Sequence, residues 1–322
     1  MTVTTDDAIP VTPQAVRHEM TVFGIMTVLL LAVPFTGLYP FFVMQALCFA
    51  LLACAFNLLV GYGGLLSFGH AMFLGTAGYV SGHALKVWGL PPELGILVGT
   101  AASAVLAVIT GVIAIRRQGI YFAMITLALS QLLYFIYLET PFTHGEDGIQ
   151  GIPQGMMFGF LNLANPTVLY YVVLAGFLLG FLLIFRIINS PFGEVLKSIR
   201  ENEQRAISLG YKTDQYKLIA FILSGTLGGF AGALKVFVAQ NASLTDVQWQ
   251  MSGEIVLMTL VGGLGTVFGP AVGAFVIIAM EQYLAGFGQW VQVIQGVIFV
   301  ACVLAFRRGI VGEIAHFFRL SL

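Results

Sequence analysis

A chain of 322 residues that is 58% hydrophobic and only 9% charged cannot be a soluble globule, because soluble domains carry about 25% charged residues to cover their surface. Its formal net charge of −1 offers no field to attract nucleic acid. Most of this surface must be solvated by lipid, and the predicted fold is an all-α polytopic membrane helical bundle.

In chain order, residues 1–20 are polar, with Asp6, Asp7, Pro10, Pro13 and Arg17. They lack the basic start, short apolar core and small-residue cleavage site of a signal peptide, and are expected to form a retained, disordered tail. Apolar runs long enough for a bilayer core of about 30 Å then recur. They place about ten spans near 21–36, 40–60, 66–85, 93–115, 120–138, 167–189, 217–240, 252–264, 267–285 and 290–306, and leave 307–322 as a second tail. The first run is short and contains Pro34. The run 252–264 is short and ends in Val261-Gly262-Gly263-Leu264-Gly265, so it either crosses the membrane or turns back inside it. Two segments break the apolar rhythm of the transmembrane domain 21–306. One, 139–166, holds Thr143-His144-Gly145-Glu146-Asp147-Gly148, the residue types of ordered turns. The other, 189–217, opens with Ser190-Pro191, a helix-start signal. It mixes Glu194, Lys197, Arg200, Glu201, Glu203 and Arg205 with Val195, Leu196, Ile199, Ile207 and Leu209, the pattern of one or two short amphipathic helices.

Orientation follows from the basic residues, which stay on the cytoplasmic side of span ends. With the N-terminus inside, that side receives Arg17, Arg116, Arg117, Arg186, Lys197, Arg200, Arg205, Lys212, Lys217, Arg307, Arg308 and Arg319, which are 12 of the 14. Lys86 and Lys235 fall outside, where Glu93, Glu139, Glu146, Asp147 and Asp246 also lie. Both termini are therefore expected in the cytoplasm.

Several chemistries find no support. Cys48, Cys54 and Cys302 sit in apolar runs without metal-like spacing and are expected as small buried hydrophobes. His144, Glu146 and Asp147 do not have a zinc spacing, and a loop that touches a partner is the better reading of them. No G-x-x-x-x-G-K-[ST] phosphate loop and no nucleophile–base pair occur. No catalytic residue, metal or cofactor is expected in this chain. Lys235, Glu254 and Glu281 lie near the outer ends of their spans, where snorkelling to the interface accounts for them.

The 38 glycines are informative by position. Gly225/Gly229, Gly228/Gly232, Gly265/Gly269 and Gly269/Gly273 are each four apart, the spacing that lets helix backbones approach closely in lipid. There is also an internal echo. Gly63-Gly64-Leu65-Leu66-Ser67-Phe68-Gly69-His70 resembles Gly262-Gly263-Leu264-Gly265-Thr266-Val267-Phe268-Gly269-Pro270 with one residue inserted. Paired glycine-interrupted segments are the best sequence pointer to a transport site. Ser67, Phe68, Gly69, His70, Gly262, Gly263, Gly265 and Thr266 are accordingly the candidates for the translocation path. His70 either contacts substrate or caps a neighbouring helix through a hydrogen bond.

Gly61-Tyr62-Gly63-Gly64-Leu65-Leu66-Ser67-Phe68-Gly69-His70-Ala71-Met72-Phe73 resembles the signature of the branched-chain amino-acid permease family of bacterial ATP-binding-cassette (ABC) importers, although the family's glutamine is missing from it. Gly75 to Tyr79 also fits. So do Gly145-x-Asp147-Gly148-Ile149-x-Gly151-Ile152-Pro153, Ser190-Pro191-Phe192-Gly193 through Ile199-Arg200-Glu201-Asn202-Glu203 to Gly210, Gly262 to Pro270, and Arg308-Gly309-Ile310-Val311-Gly312. The matches run in family order from about residue 40 to 312, and are most similar to the LivM-type member of the permease pair. Urea and amide permeases are relatives of that type. The E-A-A of ABC permeases reads Gln204-Arg205-Ala206 here and keeps only Ala206 and the later Gly210.

The resemblance implies a location in the bacterial inner membrane and an importer of branched-chain or related amino acids, with urea, amides and aromatic acids as neighbouring substrate classes. It implies as partners a homologous permease, two ATP-binding subunits that use the ATP, and a periplasmic substrate-binding protein. Glu194, Lys197, Arg200, Glu201, Glu203, Arg205, Ala206 and Gly210 would then form the ATPase-coupling segment, with Glu146 and Asp147 at the binding-protein docking loop. An ion-coupled secondary transporter is the competing hypothesis and requires buried ionisable residues at mid-membrane. A membrane enzyme or scaffold comes third, without a nucleophile or metal cluster to recommend it.

Overall fold

The computed structural model describes residues 13–35, 39–284, 286, 288, 290–305 and 309–318. Helix α1 (Pro13–Ala32) leads through a 3-10 turn at 33–35 to α2 (Pro40–Asn57), whose last turn continues as a π-turn, Leu58–Tyr62. Then come α3 (His70–Lys86), α4 (Pro92–Ala114), α5 (Ile120–Glu139), α6 (Pro166–Ile188), α7 (Pro191–Glu201), α8 (Glu203–Ser208) and α9 (Thr213–Ala239). The chain ends with α10 (Trp249–Gly262), α11 (Gly269–Leu284), α12 (Trp290–Ala305) and α13 (Gly309–Phe318). The only strands among the described residues are two-residue pieces: β1 (Ile149–Gln150), β2 (Met156–Met157), β3 (Leu161–Asn162) and β4 (Asn241–Ala242).

Among the described residues, five helices are long and apolar enough to cross a membrane: α2 with its π-turn, α4, α5, α6 and α9. The rest differ from the predicted spans in informative ways. Proline fits the first turn of a helix, where its missing N–H costs nothing. Pro13 accordingly starts α1, so residues 13–20 are helical rather than part of a disordered tail. The stretch 309–318, expected as tail, is helical too. Residues 1–12, 319–322 and 306–308, with Arg307, Arg308 and Arg319, lie outside the described residues. The third expected span loses its first turn, because residues 63–69 are not helical. Helix α10 has 14 residues, about 21 Å at 1.5 Å per residue, too short for a bilayer core.

Packing is inverted relative to a soluble protein. The buried face of α4 is Gly95, Gly99, Ser103, Ala107 and Gly111, four residues apart, while Leu97, Val105, Ile109 and Val112 face outward. That small-residue stripe meets α9. A methyl group at Gly225 would lie 2.8 Å from Cβ of Ala107, and one at Gly229 would collide with Ser103. Ser103 Oγ donates to the Gly225 carbonyl at 2.9 Å. Lipid gives apolar side chains no reason to leave it, so close backbone approach and such bonds supply the association. The glycines of α9 are thus packing residues. Helix α2 is the best enclosed, with Ala46 to Ala55 each 3% exposed or less, between α6, α9 and α11. Cys48 and Cys54 are buried free thiols within it; the side chain of Cys302 lies outside the described residues.

The two ends of the bundle are built differently. At one end, β1 pairs antiparallel with β4, Ile149 opposite Ala242, and straps the 140–165 loop across the ends of α3 and α9. At the other end α7 and α8 lie beneath the bundle. Ser190 caps α7 by accepting from Gly193 N. Leu196 and Ile199 point into the bundle, 0% and 3% exposed. Gly210, in the left-handed conformation at φ +90°, lets Tyr211 N return to the Ala206 carbonyl at 3.2 Å and ends α8.

Candidate functional site

Both glycine-interrupted segments found in the sequence are real breaks in helices, and they meet. The first comprises the π-turn of α2 and the non-helical residues 63–69. The second comprises residues 263–268, between α10 and α11. Asn57, 2% exposed, joins them. Its amide nitrogen donates to the Thr266 carbonyl at 2.9 Å, and its amide oxygen accepts from Gly265 N at 3.0 Å. One side chain thereby satisfies a donor and an acceptor that no helix ladder serves.

The first break is anchored from several sides. Thr126 of α5 accepts from Phe68 N at 3.2 Å, Ser67 accepts from Gly69 N at 3.3 Å, and Ser252 of α10 accepts from Ala71 N at 3.0 Å. These are the orphan amides expected where a helix begins inside a bundle. His70 resolves in favour of the hydrogen-bonded reading. It is fully enclosed, with its ring edge-on to Phe56 at 4.9 Å and Phe73 at 5.5 Å. Ser224 Oγ donates to the Ala55 carbonyl, so His70 Nε2 donates to Ser224 Oγ, at 2.8 Å. Nδ1 is left as an acceptor without a partner.

The second break is held by Asn57, by its own Thr266 and by the buried Phe268, whose ring lies 5.3 Å from that of Phe181. Thr266 Oγ1 donates to the Gly263 carbonyl at 2.8 Å and accepts from Gly269 N at 3.1 Å, so the segment caps its own following helix. Gly309, at the start of α13, lies against the backbone of Gly262 and Gly263. Of the candidate path residues, the structure therefore brings Gly265 and Thr266 to the α2 break, leaves Gly262 and Gly263 against Gly269 and Gly309, and sets Ser67, Phe68, Gly69 and His70 at the start of α3.

The coupling-segment candidates fall into two groups. Glu194 and Lys197 form an exposed i,i+3 pair at 2.8 Å, with the Lys197 ammonium 5.9 Å from the centre of the Tyr62 ring. Glu201, Arg205 and Gly210 are exposed and Ala206 is buried. Beside them Ile207, Leu209 and Tyr211 are 48%, 70% and 40% exposed, three apolar groups in a row of charges. The other group bonds back to the bundle, although Arg200 itself is exposed and Glu203 half-buried. Glu203 takes the buried Lys217 ammonium at 2.5 Å and the Gln118 amide at 3.0 Å, tying α8 to α9 and the α4–α5 connection. Arg200 reaches the first break, where its guanidinium donates to the Gly61 carbonyl. Sequence reasoning placed all eight on one docking face, because periodicity on a short helix does not reveal contacts made 139 residues away.

At the opposite end, Lys235 does not snorkel. It pairs with Asp246, both side chains largely buried, and its ammonium lies 5.5 Å from the Phe49 ring centre. Glu254 and Glu281 are half-buried in the same electrostatic neighbourhood. Glu146 and Asp147 are exposed on a 3-10 turn of the strapped loop. Among the described residues no group of His, Cys, Asp and Glu could hold a metal ion.

A bundle of this composition, with two broken helices stitched at one end, defines a multi-pass α-helical membrane protein. Comparison with known sequences gives the particular family. The chain belongs to the family described as "Branched-chain amino acid transport system / permease component", which it matches over residues 39–303. It is similar to the high-affinity branched-chain amino acid transport system permease protein LivM of Salmonella typhimurium. That match is 25% identical over 291 residues, 81% of this chain and 67% of the relative. It is also similar to the probable branched-chain amino acid transport permease protein LivH of Methanocaldococcus jannaschii, 26% identical over 76% of this chain and 82% of the relative. The autoinducer 2 import system permease protein LsrC of Yersinia pseudotuberculosis is 27% identical over 58% of this chain and 55% of the relative. The chain spans about two thirds of the length of the LivM proteins it matches. No solved structure matches it.

Proposed function

We propose that this chain is the membrane-spanning permease subunit of an ATP-driven importer of branched-chain or related amino acids. It would lie in the bacterial inner membrane with both termini and the α7–α8 segment in the cytoplasm. Its partners would be a second, homologous permease, two ATP-binding subunits that hydrolyse the ATP, and a substrate-binding protein meeting the Glu146–Asp147 loop. The chain would itself be no enzyme. The observation that carries this reading is the two-sided α7–α8 segment. Leu196 and Ile199 root it in the bundle, while Ile207, Leu209 and Tyr211 stand out among Glu201 and Arg205. Apolar anchors within a charged rim are the anatomy of a protein–protein interface. The substrate class rests on what LivM and LivH are named for; LsrC, named for autoinducer 2 import, is the relative that points to another solute.

The test is uptake into proteoliposomes holding the co-expressed complex, with labelled leucine and urea offered. Leucine uptake that needs both ATP and binding protein is the expected result. Deleting 194–210 should abolish co-purification of the ATP-binding subunits. The largely buried Lys235–Asp246 pair and the half-buried Glu254 and Glu281 favour a second reading, ion-coupled transport. Uptake by this chain alone under a proton or sodium gradient would establish it and overturn the first.

A further inference from the structure

We propose that Arg200 is the positioning residue through which a movement of α7 reaches the pore-side backbone, by holding the two helix breaks together. The proposal rests on the reading of α7–α8 as the ATPase-docking segment, and names the link from that segment to the membrane.

The geometry singles Arg200 out on α7. Its aliphatic stem lies along the first break, where a methyl group at Gly64 would stand 3.1 Å from its Cγ. Its guanidinium donates to the Gly61 carbonyl. The same nitrogen, Nη1, faces the second break, where a methyl group at Gly265 would stand 3.3 Å away. Glycines thus make the room it occupies, at φ +69° for Gly64 and +77° for Gly265. The Gly61 carbonyl belongs to the last turn of a helix, which has no partner of its own, and a cation there is also favoured by the helix dipole.

What Arg200 grips is adjustable. Residues 58–62 are wound as a π-turn, a form concentrated at functional sites because the winding carries one residue more than an α-turn. Asn57, one turn earlier, holds Gly265 and Thr266. Arg200, Gly61, Asn57 and Gly265 therefore form one continuous chain of contacts from α7 to the second break. The first break has further anchors in Thr126 and Ser252, so a pull on Arg200 is taken up mainly by residues 263–268. Hollows of 460 Å³ and 220 Å³ flank the side chain, the first lined by Tyr62, Lys197 and Gly265, the second by Gly64, Gln118 and Lys217. They give it room to swing.

The test uses the full complex in proteoliposomes and reads leucine imported per ATP hydrolysed. Arg200→Met keeps the stem against Gly64 and removes the donor. It should leave ATP-binding subunits bound and ATP hydrolysis running, but lower the transport-to-ATP ratio about tenfold, within the usual range of coupling between sites. Arg200→Lys, which keeps a cation, should recover part of the ratio. A second readout is labelling of Leu264→Cys, in a background where Cys48, Cys54 and Cys302 are alanine, by an impermeant maleimide. The labelling rate should change when nucleotide is trapped in the complex carrying Arg200, and stay constant with Arg200→Met. A wild-type transport-to-ATP ratio in Arg200→Met overturns the proposal. So does loss of ATPase co-purification, which would make Arg200 a docking contact. Should Arg200→Met fail to fold, labelling in Arg200→Lys decides: an unchanged nucleotide response overturns the link, and a reduced one supports it. If the wild-type chain binds no ATPase, or transports without ATP, the functional reading has failed instead.

Discussion

The two helix breaks begin from similar sequences and end with different mechanics. Residues 63–69 are bonded to α5 and α10 and followed by a histidine sealed among Phe56, Phe73 and Phe221. Residues 263–268 bond to themselves and to Asn57, with Arg200 and Gly309 lying against them and Phe268 packed on Phe181. One break is fixed by polar side chains of neighbouring helices; the other is held by one amide, its own Thr266 and apolar packing. An unhelical backbone inside a membrane must have its polar groups satisfied by protein. Whether its partners are distant or local decides whether it can move without unfolding its surroundings.

This contrast can be broken by mutation. The largest loss of stability is expected from His70→Ala, which empties an enclosed site and abandons the Ser224 hydroxyl, about 3 kcal/mol in detergent unfolding. Asn57→Ala leaves Gly265 N and the Thr266 carbonyl unpaired. It should cost about 2 kcal/mol and make a cysteine at 264 react faster. Ser252→Ala removes one acceptor from the start of α3, about 1 kcal/mol, with no change in labelling at 264. Glu194→Ala, at an exposed pair, should leave the unfolding midpoint where it was. If Asn57→Ala destabilises more than His70→Ala, the second break is the fixture and the assignment of roles is reversed.

Much of this was readable beforehand. A helix follows each of the ten apolar runs, and the five that are long and apolar enough to cross show the demand of about 20 apolar residues per crossing. Both breaks were marked by glycine pairs. The sequence misled where apolarity and helicity part company. Leu65, Leu66 and Phe68 look like the start of a span, yet residues 64–69 are not helical and Phe68 N bonds to Thr126 instead. Lys235 looked like a snorkelling lysine because Asp246 is eleven positions on, across a turn that no periodicity describes. Arg200, exposed as its pattern suggests, and the half-buried Glu203 gave no sign in sequence of what they bond. Their partners at Gly61 and Lys217 are fixed by how α7 and α8 dock, and that is a tertiary fact. Asn57 carried the weakest signal of all, one amide in a run of alanines and leucines.

That amide also sets an order of assembly. Asn57 enters the bilayer with α2, while the residues that satisfy it lie 208 and 209 positions later in the chain. Until α10 and α11 have been made, the nascent bundle carries a polar group with no protein partner from the second break, at a cost hydrocarbon does not forgive. The final third of the chain is therefore what makes the first third comfortable in lipid. Synthesis halted before residue 265 should leave an insertion intermediate that membrane quality control can recognise by its unsatisfied amide.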